Sequence, residues 1–445
     1  MKVIVAGAGE VGFYIAKMLS HESLDISVID TNEEKLKHIE SHFDLLTFEG
    51  SCTSLAMLKE VRAKDADLLI AVTDSEETNI TTAVLAKQFG TKRTIARVSH
   101  SEYTTNDIID FRSLGIDNLI FPEQLAALEV KRLMKHANLI ENFEFADGRL
   151  TFIGITVGIE SPVIHKSLEE SADLNPYNNF MLVAVTRGSD TIIPRGDFKF
   201  RLNDHLYFIA HPEGVEHIVK INGKEEFDIK RIMILGGGKV GRMAAQKMER
   251  KYKIKMIESV KEKCYELTDC LNNTLVIHGD GRDVALLEEE GISNMDAFVA
   301  LTGNSETNII SCLVAKKHGV KKTVALVENT DLFHLSHDIG IDTLINKKLI
   351  AASNIFRYIR EGDVNALATV HGVDAEVLEF IVKPKSKITN KIIRELKFPR
   401  KAIIGGVVRA GESYISMGDF RIEPRDRVVV FALPAAIHDV EKYFK

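Results

Sequence analysis

Long apolar runs, paired cysteines and basic tracts are scarce in this 445-residue sequence, and each shortage argues against a class of protein. No apolar run approaches the roughly 18–20 residues that a membrane-spanning helix needs, so we do not expect the chain itself to form a channel. Its four cysteines show no CxxC spacing, which indicates reduced thiols in a cytosolic protein. The net charge of −7 is spread along the chain, which argues against nucleic acid as the main partner.

What the chain does contain is ordinary for a globular protein, with 45% apolar and 27% charged residues. Its length corresponds to roughly three domains of about 150 residues each. The first residues, MKVIVAGAGEVG, predict a strand and a turn and lack the apolar segment and cleavage site of a signal peptide. We therefore expect a cytoplasmic α/β protein.

The chain repeats itself at an offset of 229 residues. Residues 2–12 match residues 231–241, and residues 50–98 align without a gap with 279–327, where 18 of 49 positions are identical. A period this long indicates domain duplication and not a solenoid, whose units span roughly 20–50 residues.

A second, shorter repeat follows each of these blocks. Residues 194–208 correspond to 416–430 and share a Gly-Asp-Phe turn and an aspartate, Asp204 or Asp426. Each segment predicts a β-hairpin, because an alternating stretch and a polar turn precede a solid apolar run. The order of repeats predicts four modules, with boundaries that give 1–140, 141–225, 226–365 and 366–445.

Within each large module, short apolar runs alternate with stretches of helical period such as Val11–Ser20 and Glu33–His42. This alternation predicts an α/β fold with two Rossmann-like, doubly wound parallel sheets, each followed by a small α+β lobe. The strand candidates of the first module are Val3–Ala6, Ile26–Ile29, Leu45–Phe48, Leu68–Val72, Thr94–Val98 and Leu119–Phe121.

The first module opens with a dinucleotide-binding pattern, G-x-G-x-x-G, directly after an apolar strand. Its glycines would let the backbone approach a pyrophosphate at the positive end of the following helix. Asp30 ends the second strand candidate, where an acid accepts hydrogen bonds from ribose hydroxyls and disfavours a 2′-phosphate. The alternative is that the glycines serve only close helix–sheet packing. The pattern comprises Gly7, Ala8, Gly9, Glu10, Val11 and Gly12.

The same set recurs in the second module, where Glu258 takes the place of Asp30, and the packing alternative applies there as well. The second pattern comprises Gly236, Gly237, Gly238, Lys239, Val240 and Gly241.

Three further loops in each half follow strand candidates, at the edge where open α/β sheets bind ligands. Arg97 could pair with a phosphate, a role that Leu326 cannot take, and Asp280 could accept from an adenine amino group where Ser51 and Cys52 offer no carboxylate. We therefore expect two nucleotide sites that are not equivalent. The loop residues are Ser51, Cys52, Thr73, Asp74 and Arg97 in the first half and Asp280, Gly281 and Thr302 in the second.

Structural roles compete for several of these residues. Asp74 begins a D-x-x-E pattern that is also typical of an N-terminal capping box. Arg97 either meets a phosphate or another subunit, or pairs with a surface carboxylate. Cys52 is a small loop-lining residue or a redox sensor, and the segment Glu77–Asn79 either starts a helix by packing or contacts a ligand.

Motifs that carry out chemistry are missing from the sequence. It has no G-x-S-x-G elbow and no Walker A lysine motif, and His334 and His337 have no companions that complete a metal site. A dehydrogenase needs a substrate domain with an acid–base residue, but only a small β-rich segment of about 80 residues follows each dinucleotide-binding module. We expect a nucleotide sensor with no catalytic residue and no metal; the alternative is an NAD-dependent oxidoreductase of unknown substrate.

The combination of features resembles a known family, the tandem regulator-of-potassium-conductance (RCK) subunits of Trk- and Ktr-type potassium transporters. The resemblance covers essentially the whole chain. It rests on the four-module order, the doubled G-x-G-x-x-G with Asp30 and Glu258, the segment Thr73–Asn79, Ala96-Arg97-Val98 and Phe121-Pro122-Glu123-Gln124. In the second half, Leu326 and Asn346-Lys347-Lys348 depart from this pattern.

The resemblance implies a cytoplasmic regulatory subunit, peripheral on the inner face of the membrane through a TrkH-type potassium-conducting partner. It also implies self-assembly into a ring, as a homotetramer of tandem chains. NAD(H), ATP or ADP would bind the Rossmann-like lobes through the residues named above and bias the ring between closed and open states of the pore.

Overall fold

The computed structural model describes residues 1–20, 24–105, 108–135, 139–188, 190–221, 223, 227–329, 340–360, 364–369 and 375–444. These residues form two parallel six-stranded sheets and two antiparallel five-stranded sheets, so the α/β class predicted from the sequence is confirmed. By contacts, the chain divides into two units, 1–127 with 346–360, and 128–345 with 361–445.

The first large sheet has the strand order 3-2-1-4-5-6, and all five pairs of neighbouring strands are parallel. Its central strand β1 is buried along nearly its full length, because helices cover both faces of a doubly wound sheet. The strands are β1 (Lys2–Ala6), β2 (Asp25–Asp30), β3 (Leu46–Glu49), β4 (Leu68–Ala71), β5 (Arg93–Arg97) and β6 (Asn118–Ile120). The helices are α1 (Glu10–Ser20), α2 (Glu33–Glu40), α3 (Leu55–Glu60), α4 (Glu76–Phe89), α5 (Glu102–Thr105) and α6 (Pro122–Lys135).

The second large sheet repeats this order in the second half of the chain. The end of α6 lies in the same unit, where the hydroxyl of Tyr252 donates to the carbonyl of Met134 at 3.2 Å. The strands are β12 (Arg231–Leu235), β13 (Lys253–Glu258), β14 (Thr274–His278), β15 (Ala297–Ala300), β16 (Lys322–Leu326) and β17 (Thr343–Ile345). The helices are α8 (Lys239–Met248), α9 (Lys261–Cys270), α10 (Val284–Glu289), α11 (Ser305–Lys317) and α12 (Lys347–Arg360).

The two small sheets pack against each other in the second unit. Their shared core includes Phe152, which stacks on Tyr207 at 5.7 Å between ring centroids and on Phe431 at 6.3 Å. The fully buried carboxylate of Glu379 accepts from the N–H of Ala146 across this contact at 3.0 Å. The first small sheet holds β7 (Glu141–Phe145), β8 (Leu150–Thr156), β9 (Phe180–Arg187), β10 (Asp190–Ile192) and β11 (His205–Ala210), with helix α7 (Val215–Ile221). The second holds β18 (Val364–Thr369), β19 (Glu376–Ile381), β20 (Ala402–Arg409), β21 (Glu412–Ile415) and β22 (Arg427–Ala432), with helix α13 (Pro434–Phe444).

The predicted hairpins over 194–208 and 416–430 are wrong. Strand β11 pairs with β8 and β9, and in the preceding segment Lys199 forms only an isolated bridge with Ser167. Asn203 adopts a left-handed backbone conformation (φ 67°), which interrupts an extended chain before β11. The apolar run was a true strand, but its partners lie elsewhere in the chain.

In each small lobe, an ion pair with a buried aspartate holds the segment that precedes the apolar strand, β11 or β22. The carboxylate of Asp204 is 1% exposed and accepts from Nε of Arg187 at 2.7 Å and from the N–H of Arg201 at 2.8 Å. Asp426 and Arg409 repeat the pair, with Nε to Oδ1 at 2.9 Å. The hydrogen bonds with Asp204 raise the pKa of the Arg187 guanidinium.

Replacing Asp204 should therefore destabilise the first small lobe. We expect Asp204→Ala to lower the free energy of unfolding by about 2–4 kcal/mol, because it leaves Arg187 without its charged partner. Asp197→Ala, at an exposed site in the same loop, is the matched control and should cost less than about 0.5 kcal/mol. Urea unfolding followed by circular dichroism measures both, and equal stabilities of the two variants would contradict the role of Asp204.

Candidate functional site

The glycine loop after β1 separates into packing positions and an open position. Gly7 has φ 113°, and a Cβ there would lie 2.8 Å from the backbone nitrogen of Thr73. A Cβ on Gly12 would lie 1.9 Å from the carbonyl oxygen of Gly7. A Cβ on Gly9 would meet no atom within 4 Å. Close packing therefore explains Gly7 and Gly12, whereas Gly9 borders open space.

That open space is a cleft of about 300 Å³ at the carboxyl edge of the first large sheet, which we call the first cleft. It lies where the strand order reverses between β1 and β4, the position at which doubly wound sheets bind ligands. Its walls follow the ends of β1, β2, β3 and β4. The lining residues are Gly9, Ile29, Asp30, Thr31, Lys35, Gly50, Ser51, Cys52, Val72, Thr73, Asp74, Ser75 and Thr78.

Asp30 is fixed at the wall of the first cleft by two backbone donors. Its Oδ2 accepts from the N–H of Ala8 at 2.6 Å, and its Oδ1 accepts from the N–H of Asn32 at 2.9 Å. Each carboxylate oxygen has a second lone pair, so the group can still accept from a ligand hydroxyl. The carboxylate thus links the glycine loop to β2 and lines the first cleft at the same time.

Asn79 fixes the loop after β4. Its side chain is 1% exposed; Oδ1 accepts from the N–H of Thr73 at 2.8 Å, and Nδ2 donates to the carbonyl of Arg97 at 3.0 Å. Asn308 makes the same contacts to Thr302 and to the carbonyl of Leu326. Asn79 therefore has a packing role, whereas its neighbour Thr78 lines the first cleft.

The interpretation of Asp74 as a helix cap is wrong. The N-cap of α4 is Ser75, whose hydroxyl accepts from the N–H of Thr78 at 3.0 Å. Asp74 is 87% exposed and lies 3.4 Å from Nη1 of Arg97. Ser75 has the more suitable cap geometry because its side chain stands three residues before the N–H that it binds.

Arg97 pairs with Asp74 beside the first cleft and is itself 21% exposed. The loop that follows Arg97 is held by Glu76, whose carboxylate accepts from the N–H groups of Ser99 at 2.7 Å and His100 at 3.1 Å. Burial favours the neutral acid, but these hydrogen bonds outweigh it and lower the pKa of Glu76. Its carboxylate therefore stays ionised and keeps this loop in place.

Cys52 lines the first cleft as a small buried residue. It is 6% exposed, and its sulfur accepts from the hydroxyl of Thr82 at 3.2 Å. Burial raises the pKa of the Cys52 thiol, which disfavours the reactive thiolate. These observations support the loop-lining interpretation over a redox sensor. The neighbouring Ser51 hydroxyl lies 2.9 Å from that of Thr53.

The other residues of the pattern lie around the loop. Val11 and Gly12 are buried on the inner face of α1, and the carboxylate of Glu10 forms an ion pair with Lys348 of α12. Sequence reasoning missed Lys35, an exposed lysine in the first turn of α2 that lines the first cleft. A cation five residues after Asp30, at the start of the next helix, was the available signal.

The glycine loop of the second lobe has the same geometry. Gly236 has φ 100°, a Cβ on Gly241 would lie 2.0 Å from the carbonyl oxygen of Gly236, and Gly238 borders open space. The carboxylate of Glu258 accepts from the N–H groups of Gly237 at 2.8 Å and Val260 at 2.9 Å. Glu258 thus holds its loop as Asp30 holds the first.

The remaining second-lobe residues differ from their first-lobe counterparts. Asp280 pairs with Arg282 at 2.7 Å, and the hydrogen bonds of that arginine lower the pKa of Asp280. A Cβ on Gly281 would lie 1.9 Å from Cδ1 of Leu235, so this glycine serves packing. Lys239 stands at the loop position that Glu10 occupies in the first lobe.

The described residues offer neither a metal centre nor a membrane-spanning helix. Among them, no three His, Cys, Asp or Glu side chains gather as a candidate metal centre, and His334 and His337 lie outside the described residues. In the same part of the chain, no helix has the length and apolarity that spanning a membrane requires.

Comparison with known proteins identifies the family. Residues 3–122 and 232–347 match the TrkA-N domain, and residues 152–223 and 377–445 match the TrkA-C domain. The Trk system potassium uptake protein TrkA homolog 1 of Methanosarcina mazei is 35% identical over the whole of both chains. The chain belongs to the TrkA family of potassium uptake proteins. TrkA of Halomonas elongata is 32% identical over all of this chain and 99% of that protein.

Solved structures share the fold of this TrkA-family chain. The GsuK RCK domain superposes with a TM-score of 0.60 at 16% identity, covering 99% of this chain and 94% of that chain. The structure described as the GsuK channel bound to NAD has a TM-score of 0.60 at 15% identity, covering 100% of this chain and 78% of that chain. These similarities show that the chain shares the fold of the GsuK RCK domain.

Substitution of the closely packed Gly12 and of the open Gly9 should have different effects on stability. We expect Gly12→Ala to lower the free energy of unfolding by about 3 kcal/mol, because the new Cβ collides with a backbone carbonyl. Gly9→Ala should change it by less than about 0.5 kcal/mol, since the Cβ enters open space. Thermal unfolding of both variants tests the assignment, and a Gly9→Ala variant as unstable as Gly12→Ala would show that the loop is purely structural.

Proposed function

We propose that this chain is a nucleotide-sensing regulatory subunit that controls potassium uptake through a separate, TrkH-type membrane protein. The observation that carries the proposal is the first cleft, where an ordered carboxylate, an open glycine and a helix N-terminus meet at the switch point of a doubly wound sheet. This combination suits the ribose and pyrophosphate of NAD(H) or of an adenine nucleotide.

The residues of the first cleft fit such a ligand. Asp30 would accept from ribose hydroxyls, since each of its oxygens keeps a lone pair after binding the backbone. The pyrophosphate would lie over Gly9 at the N-terminus of α1, where unpaired N–H groups and the helix dipole favour an anion. Ser51 and Cys52 border the region left for the base, and Arg97 with Asp74 borders the mouth. The second lobe offers Glu258 and Gly238 in the corresponding places.

The family supports this function at the level of the system. Its relatives are named as Trk system potassium uptake proteins, and structures of the related GsuK are described as bound to NAD and to ADP. The nucleotide would act by linkage, shifting the protein between two states only as far as its affinities for those states differ. No catalytic group is needed for that role.

The assembly around the chain is part of the same proposal. Four lobes, 1–140, 141–225, 226–365 and 366–445, would join with other copies of the chain into a ring, as a homotetramer. The ring would lie on the cytoplasmic side of the membrane and contact its potassium-conducting partner there.

Asp30 should be the main determinant of ribose recognition in the first cleft. We expect Asp30→Ala to weaken NAD(H) binding by about 1–3 kcal/mol, the cost of a lost hydrogen bond to a charged group. Isothermal titration calorimetry measures the affinity, and Asp25→Ala, an exposed site at the other end of β2, is the matched control. Equal affinities for the two variants would exclude Asp30 as the ribose contact.

Potassium uptake tests the proposed function in cells. In a strain without this chain, potassium or rubidium uptake at low external potassium should collapse and should return when the chain is restored. The Gly9→Ala variant should fold but restore uptake only partly, because its methyl group occupies the approach of the phosphates. Unaffected uptake in the absence of the chain, with no compensating potassium system, would overturn the proposal and favour an NADH-consuming enzyme.

A further inference from the structure

A helix from the second half of the chain completes the surroundings of the first glycine loop. Helix α12 packs against α1 within the same unit, and its buried face is formed by Ala351, Ala352, Ile355 and Phe356, each at most 1% exposed. Near its far end, the carbonyl of Tyr358 accepts from Nη1 of Arg93 at 2.8 Å. The position of α12 on the first lobe is therefore fixed by packing along the helix and by a hydrogen bond.

The N-terminus of α12 meets the glycine loop through an ion pair. Nζ of Lys348 contacts Oε2 of Glu10, the first residue of α1, which directly follows Gly9 in the wall of the first cleft. Lys348 is 20% exposed and Glu10 is 61% exposed. The side chain of Asn346 caps α12 by accepting from the N–H of Lys348 at 2.8 Å, which holds this end of the helix in place.

Each charge of the pair has one unfavourable neighbour. Glu10 begins α1 and suits the dipole of that helix, but it places a negative charge beside the loop where a phosphate would bind. Lys348 places a positive charge at the positive end of the dipole of α12. The glycine loop of the second half carries the opposite charge at this position, with Lys239 where the first loop has Glu10. The first turn of α6 likewise has Glu123 where α12, also 14 residues long, has Lys348.

We infer that Lys348 sets the preference of the first cleft for phosphorylated nucleotides by neutralising Glu10 at the phosphate-binding loop. The inference rests on the proposed function, since it assigns a charge-balancing residue to the same nucleotide site. With Lys348 in place, the loop offers the N–H groups of α1 to an anion without a net opposing charge. Without it, Glu10 repels each phosphate that approaches Gly9.

The predicted signature is a loss of affinity that grows with the phosphate charge of the ligand. Lys348→Met should weaken ADP binding by about fivefold, the scale of one charge–charge contact at a partly solvated site, and leave adenosine binding within about twofold. Lys347→Met is the matched control, because it removes the same charge from the neighbouring position of the same helix turn. It should change ADP binding by less than about twofold.

Displacement of a fluorescent ADP analogue from the purified full-length chain, by ADP and by adenosine, measures these affinities. Glu10→Gln in the Lys348→Met background should restore ADP binding, because no charge then remains to be neutralised. Equal losses for ADP and adenosine would show a structural role for Lys348, and failure of the double variant to recover would show that it does not act through Glu10. Either result overturns the inference.

Two further readouts separate this inference from the function on which it rests. Glu258→Ala, which weakens binding in the second lobe, should leave the fold-change caused by Lys348→Met intact; a fold-change that disappears would place the effect in the second lobe and contradict the inference. A wild-type chain that binds none of these ligands would contradict the proposed function itself. A wild-type chain that binds ADP with an affinity unchanged by Lys348→Met would contradict only the charge-balancing role.

Discussion

The first cleft depends on one steric constraint, the close approach of α1 to the turn that leaves β1. A Cβ at position 12 would lie 1.9 Å from the carbonyl oxygen of Gly7, so only glycine lets the helix begin there. This approach directs the first N–H groups of α1 over the carboxyl edge of the sheet. Asp30 then fixes the loop by accepting from Ala8, and the same carboxylate lines the cleft. Stability and ligand binding thus depend on the same few backbone contacts.

Duplication has preserved several buried contacts, whereas residues beside the glycine loops differ between the two halves. Asn79 and Asn308 make the same hydrogen bonds, and Asp204 and Asp426 each hold an arginine in a small lobe. Buried polar groups of this kind are costly to lose, because their partners remain desolvated. The halves differ beside the glycine loops, where Lys239 replaces the exposed Glu10 and the buried Leu326 replaces the partly exposed Arg97. A substitution at an exposed site such as Glu10 costs little stability, so two loops with one backbone geometry can differ in charge.

Much of the fold could be predicted because the signals are local. Buried parallel strands form short apolar runs, and all six strands predicted in the first lobe are present within one or two residues of their predicted ends. The glycine loop and Asp30 were predicted for the same reason, since their spacing follows from strand–turn–helix geometry. The prediction of the two hairpins was wrong because strand pairing is not local. Strand β11 is apolar enough to be recognised in the sequence, but it pairs with β8 and β9. The prediction that Asp74 caps α4 was wrong because Asp74 and Ser75 are adjacent candidates in the sequence, and only the backbone geometry selects Ser75.

The α/β class, the duplication, the glycine loops and the acids that end β2 and β13 could all be predicted from the sequence. These features are short-range, and each follows from the sterics of glycine or the periodicity of apolar residues. Only the tertiary structure decided which glycine borders open space, that Glu76 orders the loop after Arg97, and that Lys348 meets Glu10 from 338 positions away. The reason is physical: packing of α12 on α1 brings together charges that no local pattern connects. The net charge beside the first glycine loop therefore depends on a contact that exists only in the folded chain.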